Sequence, residues 1–192
     1  MVENLAVALV HHPVYNKHRD VVTTAVTNLD IHDIARTART YGLSRYYLVT
    51  PSAEQQAMIQ RITTHWDTGW GGGYNPDRRE ALSLVRVVPT LAEAVAAFQQ
   101  RFDRPVTVVA TGARRRADAV SFAALRDRLR HDGQPCLLVL GTGWGLADEL
   151  FAEADETLEP IVGCGDYNHL PVRSALAIML DRLLGQRETI ST

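Results

Sequence analysis

Two glycine loops between Gln134 and Gly185, each placed after an apolar run and before a helix, limit what this chain can fold into. Cys136 to Leu140 is an apolar run bounded by Gly133 and Pro135 in front and by Gly141 behind. A short run between breakers reads as a strand buried on both faces, as in a parallel sheet. Gly141, Gly143 and Gly145 follow at alternate positions. Lacking a Cβ, glycine permits positive φ and a close backbone approach to a ligand. The pattern predicts a helix from Leu146 to about Ala154, a second strand from Leu158 to Val162, and a second loop at Gly163-Cys164-Gly165. Asp166 to His169 then lead into a helix over Val172 to Leu184. Repeated in this way, strand, loop and helix place both loops at strand ends, where open α/β sheets bind ligands.

The same residues resemble the two C-terminal motifs of the SPOUT superfamily of RNA methyltransferases. Leu138 to Gly141, Gly145-Leu146, Glu149-Leu150, Pro160-Ile161, Gly163, Leu170, Val172, Ala175 and Ala177-Ile178 take the motif positions. The forms GTGWGL and GDYNHL-x-VRSA are similar to the SPOUT proteins related to bacterial tRNA guanine-N1 methyltransferases. In the ribose-methylating branch the glycine loop is one residue longer and carries a Glu that this chain lacks. Arg36-Thr37-Ala38 and Gly42 resemble the first SPOUT motif, with Asp30 standing where that branch has Asn. The resemblance implies S-adenosylmethionine (SAM) as cofactor and methylation of tRNA or rRNA, on a base nitrogen rather than on ribose. It also implies a homodimer that shares its acceptor site between subunits, and a C-terminal trefoil knot. General topology rules weigh against knots, and periodicity shows none here.

A chain of 192 residues, 46% of them hydrophobic, suggests one domain over residues 1–192, with its cofactor-binding part at about 105–185. The net charge of −2 argues against a general polyanion binder, and no DNA partner is expected; it leaves room for local basic surface. Two cysteines suggest a reducing cytoplasm rather than a disulfide framework. The apolar run near Met1 is too short for a membrane span and lacks a basic leader, so no membrane partner is expected.

Upstream of the glycine loops, Leu5 to Val10 is a predicted strand and 15–20 a polar loop. His11, His12 and His18 read as solvated loop histidines, with no metal implied. A helix from about Ile31 to Tyr41, capped by Asp30 and ended by Gly42, precedes a strand from Arg45 to Thr50. Ser52 to Trp66 reads as a helix. His65 to Arg79 is aperiodic and glycine-rich, which suggests a mobile loop. Two readings stand: its aromatics with Arg78 and Arg79 contact RNA, or it is an Ω-loop packing Trp66 and Trp70 on its own domain. A strand from Leu84 to Val88, a helix from Thr90 to Phe102 and a strand from Val106 to Ala110 follow. Behind the loop Thr111-Gly112-Ala113 come Arg114, Arg115 and Arg116, suited either to phosphate contact or to a solvated helix start. A helix from Ala117 to His131 completes an α/β pattern with a mainly parallel sheet flanked by helices.

For the implied cofactor, the glycine-loop amides with Leu140, Ile161 and Leu170 suggest a slot for a flat adenine. Thr111 and Thr142 offer hydroxyls, and Gly163, Gly165, Tyr167 and Asn168 complete the second loop. Neither loop has the GxxxxGK[ST] phosphate cradle. Asp166 is the candidate base by location, and His169 is the alternative. Arg36 hardly deprotonates, so it would position a phosphate or stabilise negative charge. From another class, the chain could be a non-catalytic SAM-binding regulatory module. The helix from Val172 is apolar on more than one face, which suggests a surface covered by a second subunit.

Overall fold

A computed structural model describes residues 2–186; Met1 and 187–192, included in the single-domain expectation, lie outside the described residues. Strand β1 (Leu5–Val10) is buried throughout. Leu5, Val7 and Leu9 enter one apolar cluster, while Ala6, Ala8 and Val10 enter another. The period of two therefore feeds cores on both faces of the sheet. The expected polar loop is present at 16–20, as the turn of a short antiparallel pair, β2 (Val14–Tyr15) and β3 (Val21–Val22).

Helix α1 (Asn28–Thr40) starts earlier than an Asp30 cap predicts. Thr27 is the N-cap: its hydroxyl accepts the Asp30 N–H at 3.2 Å, and the Asp30 carboxylate accepts the Thr27 N–H at 3.3 Å. This reciprocal capping box satisfies two orphan donors. Gly42, at φ 76°, ends the helix as expected. β4 (Tyr46–Val49) leads to α2 (Ala53–Asp67), capped by Ser52.

The expected mobile loop is two short helices, α3 (Trp70–Tyr74) and α4 (Pro76–Leu82). The glycines serve close packing there: a Cβ on Gly72 would lie 2.3 Å from the Trp66 carbonyl oxygen. Pro76 opens α4, and the Asn75 side chain caps it by accepting the Arg78 N–H at 3.0 Å.

β5 (Val85–Val88), α5 (Leu91–Gln99) and β6 (Thr107–Ala110) follow as expected. Helix α6 (Phe122–His131) begins at a Ser121 cap, later than Ala117, because Val120 pairs with Leu158 as an isolated bridge. After β7 (Cys136–Gly141) and α7 (Asp148–Glu153), the expected strand over Leu158 to Val162 is replaced by a two-residue β8 (Glu156–Thr157). Pro160 has no N–H to continue a ladder, and the Glu159 carboxylate is diverted to accept the Phe122 N–H at 2.7 Å. Helix α8 (Val172–Leu184) has the expected bounds.

Among the described residues, six parallel strands form one sheet in the order β5-β4-β1-β7-β6-β8. α1, α2, α4, α6 and α8 contribute to the cluster on one face, and α5, α7 and Val14 to the cluster on the other. The chain runs outward from β1 through β4 to β5, then crosses to β6 and returns to place β7 beside β1. The strand order thus switches at β1, and the carboxyl ends of β1, β7 and β6 lie where open α/β sheets bind ligands. Contrary to the expectation of an open apolar face, α8 packs against α1 and α6, with Leu176, Met179, Leu180 and Leu183 buried. Most of its apolar surplus is used within the subunit, with Ala177 and Ile178 half-buried outside both core clusters. Among the described residues, no helix is long and apolar enough to cross a membrane.

Candidate active site

The loop after β7 is clamped to the β2–β3 hairpin. The Tyr15 N–H donates to the Gly145 carbonyl and the Trp144 N–H to the Tyr15 carbonyl, each at 2.9 Å. Gly143 and Gly145 have φ of 59° and 104°. A Cβ on Gly143 would lie 2.9 Å from the Tyr15 carbonyl oxygen. On its Cβ side Gly143 therefore lies against the protein's own hairpin. Gly141 is equally confined, with an added Cβ 2.6 Å from the Leu146 nitrogen.

The two threonines expected to serve a ligand hold strand ends instead. The Thr111 hydroxyl donates to the Val139 carbonyl at 3.0 Å. The Thr142 hydroxyl donates to the Val10 carbonyl at 3.1 Å and lies 2.5 Å from the Thr24 hydroxyl. The expected walls of the slot also separate. Leu140 is a core residue, Ile161 is half-buried against the same core, and Leu170 is 43% exposed. The candidate site is thus open, as a shelf, on its Leu170 side.

The second loop is built differently from the first. Residues 161–170 make no backbone hydrogen bond among the described residues. Added Cβ atoms on Gly163 or Gly165 would meet nothing within 4 Å. Asp166, Tyr167 and His169 are exposed, with the Tyr167 and His169 rings edge-on at 5.3 Å. The Asn168 amide donates to the Ala113 carbonyl at 2.9 Å, tying this loop to the one after β6. Free amides and carbonyls here can match the polar edges of a flat heterocycle. This is the observation by which the residues present fit an adenosyl group.

The basic residues divide. Arg114 and Arg115 are exposed beside Ala113. Arg116 lies over the Phe151 ring at 3.7 Å and 3.9 Å from Asp148, held to α7. Arg79 pairs with Asp67 at 3.4 Å, and Arg78 lies over the Trp66 ring at 5.0 Å. Arg36 lines a cleft between α1, α2 and α4 rather than joining Asp166 or His169.

One polar cluster escaped the sequence reading. His11 is fully buried, not solvated, with its Nδ1 3.1 Å from the Thr24 hydroxyl and its Nε2 without a partner. Asp30, 6% exposed, lies 3.4 Å from Arg173, which also pairs with Asp33 at 3.3 Å. The overlooked signal was periodicity: His11 continues the Leu5, Val7, Leu9 face. Burial lowers the His11 imidazole from 6.5 to about 4, with the Asp30 carboxylate opposing the shift. Between those values the unfolded chain takes up a proton that the folded one refuses. This group's contribution is therefore present above pH 6.5 and is lost as pH falls toward about 4. The expected loss is about 1.4 kcal/mol per pH unit within that window. Denaturant titrations at a series of pH values should show this slope, and His11→Gln should remove it.

The profile of a SAM-dependent RNA methyltransferase family matches residues 4–185. A tRNA (guanine-N(1)-)-methyltransferase of Oleidesulfovibrio alaskensis is 46% identical over 182 residues, covering 95% of this chain and 42% of that protein. A namesake from Nitratidesulfovibrio vulgaris is 42% identical, again over 95% of this chain and 42% of its own length. The chain thus spans less than half of these curated relatives. An uncharacterized Aquifex aeolicus protein is 40% identical, over 96% of this chain and 90% of its own. Among solved structures, the SpoU methyltransferase AviRb of Streptomyces viridochromogenes, in complex with AdoMet, shares the fold. Its TM-score is 0.59 at 19% identity, covering 97% of this chain and 59% of that one. The A. aeolicus TrmH/SpoU tRNA modifying enzyme gives 0.60 at 19% identity, over 97% and 76% of the two chains. With the family profile spanning nearly all of the described residues, the chain belongs to the SAM-dependent RNA methyltransferase family.

Proposed function

We propose that this protein transfers a methyl group from SAM to a base nitrogen of tRNA, with guanine N1 the acceptor suggested by its relatives' names. The observation that carries the reading is the shelf formed by 161–170, whose backbone groups are free and whose Asp166 stands exposed beside them. Bound SAM supplies an electrophilic methyl carbon on a sulfonium, which calls for no phosphate cradle. The backbone of 141–145, of 112–113 and of Gly163 to Asn168 would hold it, with Tyr167 and Leu170 covering its apolar surface. Asp166 would accept the proton from the base nitrogen, with His169 as the alternative acceptor. Arg114 and Arg115, both exposed, would contact phosphates.

Arg36 lies in a cleft of its own, so a shared site needs a second subunit to present it. Trp144, Val162, Tyr167 and Leu170, exposed on or beside the two loops, support a homodimer that covers them. Within that reading the chain is one domain over 1–192, cofactor-binding at about 105–185, with the segment before α8 threaded as a trefoil knot. Two free cysteines, Cys136 and Cys164, support a cytoplasmic site of action.

Incubation with methyl-labelled SAM and bulk bacterial tRNA or rRNA, followed by nucleoside mass spectrometry, tests the reading. Label is expected in tRNA as 1-methylguanosine, with light scattering giving a dimer mass. SAM binding with no methyl incorporation into either RNA would overturn the catalytic reading.

A further inference from the structure

A cleft of about 500 Å³ opens between α1, α2 and α4. Arg36, Arg61 and Arg78 line it, one from each helix. None of the three enters a salt bridge among the described residues. Asp33 supplies a carboxylate to the lining, but it is already paired with Arg173 at 3.3 Å. Three cations converge, then, with no free counter-charge beside them. Among the described residues, the Arg78 Nε and the His32 Nδ1 in the wall behind them are both buried without a hydrogen-bond partner, a costly arrangement for polar atoms. The Trp66 ring organises this wall. Arg78 lies over it at 5.0 Å, and His32 and His65 meet it edge-on at 5.7 Å and 5.6 Å. Burial first, and then the neighbouring Arg78 charge, lower the proton affinity of His32, so at neutral pH the arginines carry the positive field.

Beside the cleft stands an aromatic pair that the core does not use. Trp70 and Tyr74 of α3 stack on each other at 4.9 Å and 19°, yet they are 76% and 73% exposed. Glycines fix this pair against the cleft wall. A Cβ on Gly71 would lie 2.9 Å from the His65 Nε2, and one on Gly72 2.3 Å from the Trp66 carbonyl oxygen. An exposed aromatic step on the helix that packs against His65 and Trp66 of a guanidinium-lined cleft matches the chemistry of an unpaired nucleotide, a flat base joined to a phosphodiester.

We propose that the cleft and the Trp70–Tyr74 step form a second RNA-contacting site, seating a single-stranded stretch of the substrate with its phosphates on Arg61 and Arg78 and a base on the aromatic step. This rests on the reading of the protein as an RNA methyltransferase. It adds a surface apart from the glycine loops that selects for unpaired RNA near the target.

The test uses the full chain, bulk bacterial tRNA as probe, and two double variants. Arg61→Ala with Arg78→Ala should weaken tRNA binding about ten-fold and reduce the salt slope by roughly one per arginine. Trp70→Ala with Tyr74→Ala should weaken it by about ten-fold at unchanged salt slope, because stacking releases no counterions. Calorimetry should give wild-type SAM affinity for both. The aromatic variant is confined to exposed side chains, so it remains decisive should the arginine variant fail to fold. Methyl transfer to tRNA by wild type, with tRNA affinity unchanged in the variants, would overturn this inference alone. So would a changed dimer mass at unchanged tRNA affinity, which would make the cleft a subunit contact. Wild-type protein that binds SAM but neither retains nor methylates tRNA would overturn this inference and the substrate reading together.

Discussion

Gly143→Val should abolish SAM binding and lower the stability of the loop after β7. The residue sits at φ 59°, and an added Cβ would lie 2.9 Å from the Tyr15 carbonyl oxygen and 3.3 Å from the Thr24 methyl. A left-handed conformation alone costs a β-branched residue about 1–2 kcal/mol. Displacing the hairpin adds to that, since the Tyr15 carbonyl accepts the Trp144 N–H that clamps the loop. The effect on SAM is thus transmitted through the shape of the loop whose backbone would hold it. Gly163→Ala and Gly165→Ala give the complementary readout, because their Cβ atoms meet no protein neighbour within 4 Å. Those variants should fold with wild-type stability and still bind SAM more weakly, reporting backbone approach by the ligand itself. Calorimetry with SAM and a thermal melt of each variant separate the two cases. Wild-type SAM affinity in Gly143→Val would remove the first loop from the site.

Asp166→Asn should lower kcat by about 10²–10⁴ while leaving SAM affinity and thermal stability unchanged. The side chain is exposed and supports no packing, so its removal acts on chemistry alone. Asparagine keeps the shape but cannot take the proton that the base nitrogen must lose. His169→Gln is the partner experiment, since His169 lies in the same loop with its ring beside Tyr167. Single-turnover rates with saturating SAM and tRNA decide between them. Full activity in Asp166→Asn with a deep loss in His169→Gln would move the proton acceptor to His169.

Legibility in the sequence followed a simple rule: elements whose side chains share one environment could be read, and elements set by distant partners could not. The β1 and α8 bounds agree with the expectation, because an apolar run in β1 and a helical apolar pattern in α8, each near a proline or glycine, carry their own ends. The region 65–79 could not be read, because glycines that relieve a clash with Trp66 look the same in sequence as glycines that confer mobility. His11 was misplaced because a polar residue after a strand looks solvated until Thr24 and Asp30 are known to fold over it.

The candidate site divides along the same line. By itself, the sequence determined the parallel α/β pattern, the glycine loop at the end of β7, and the motifs that place the chain in its family, since all of these depend on residues close in the chain. Only the tertiary structure decided that Thr111 and Thr142 brace strands, that Leu140 is core, that α8 buries most of its apolar surplus against α1 and α6, and that Arg36, Arg61 and Arg78 meet in one cleft. Each of those outcomes depends on a hydrogen-bond acceptor, an apolar face or a like charge brought from a remote part of the chain, and sequence spacing carries no record of such neighbours.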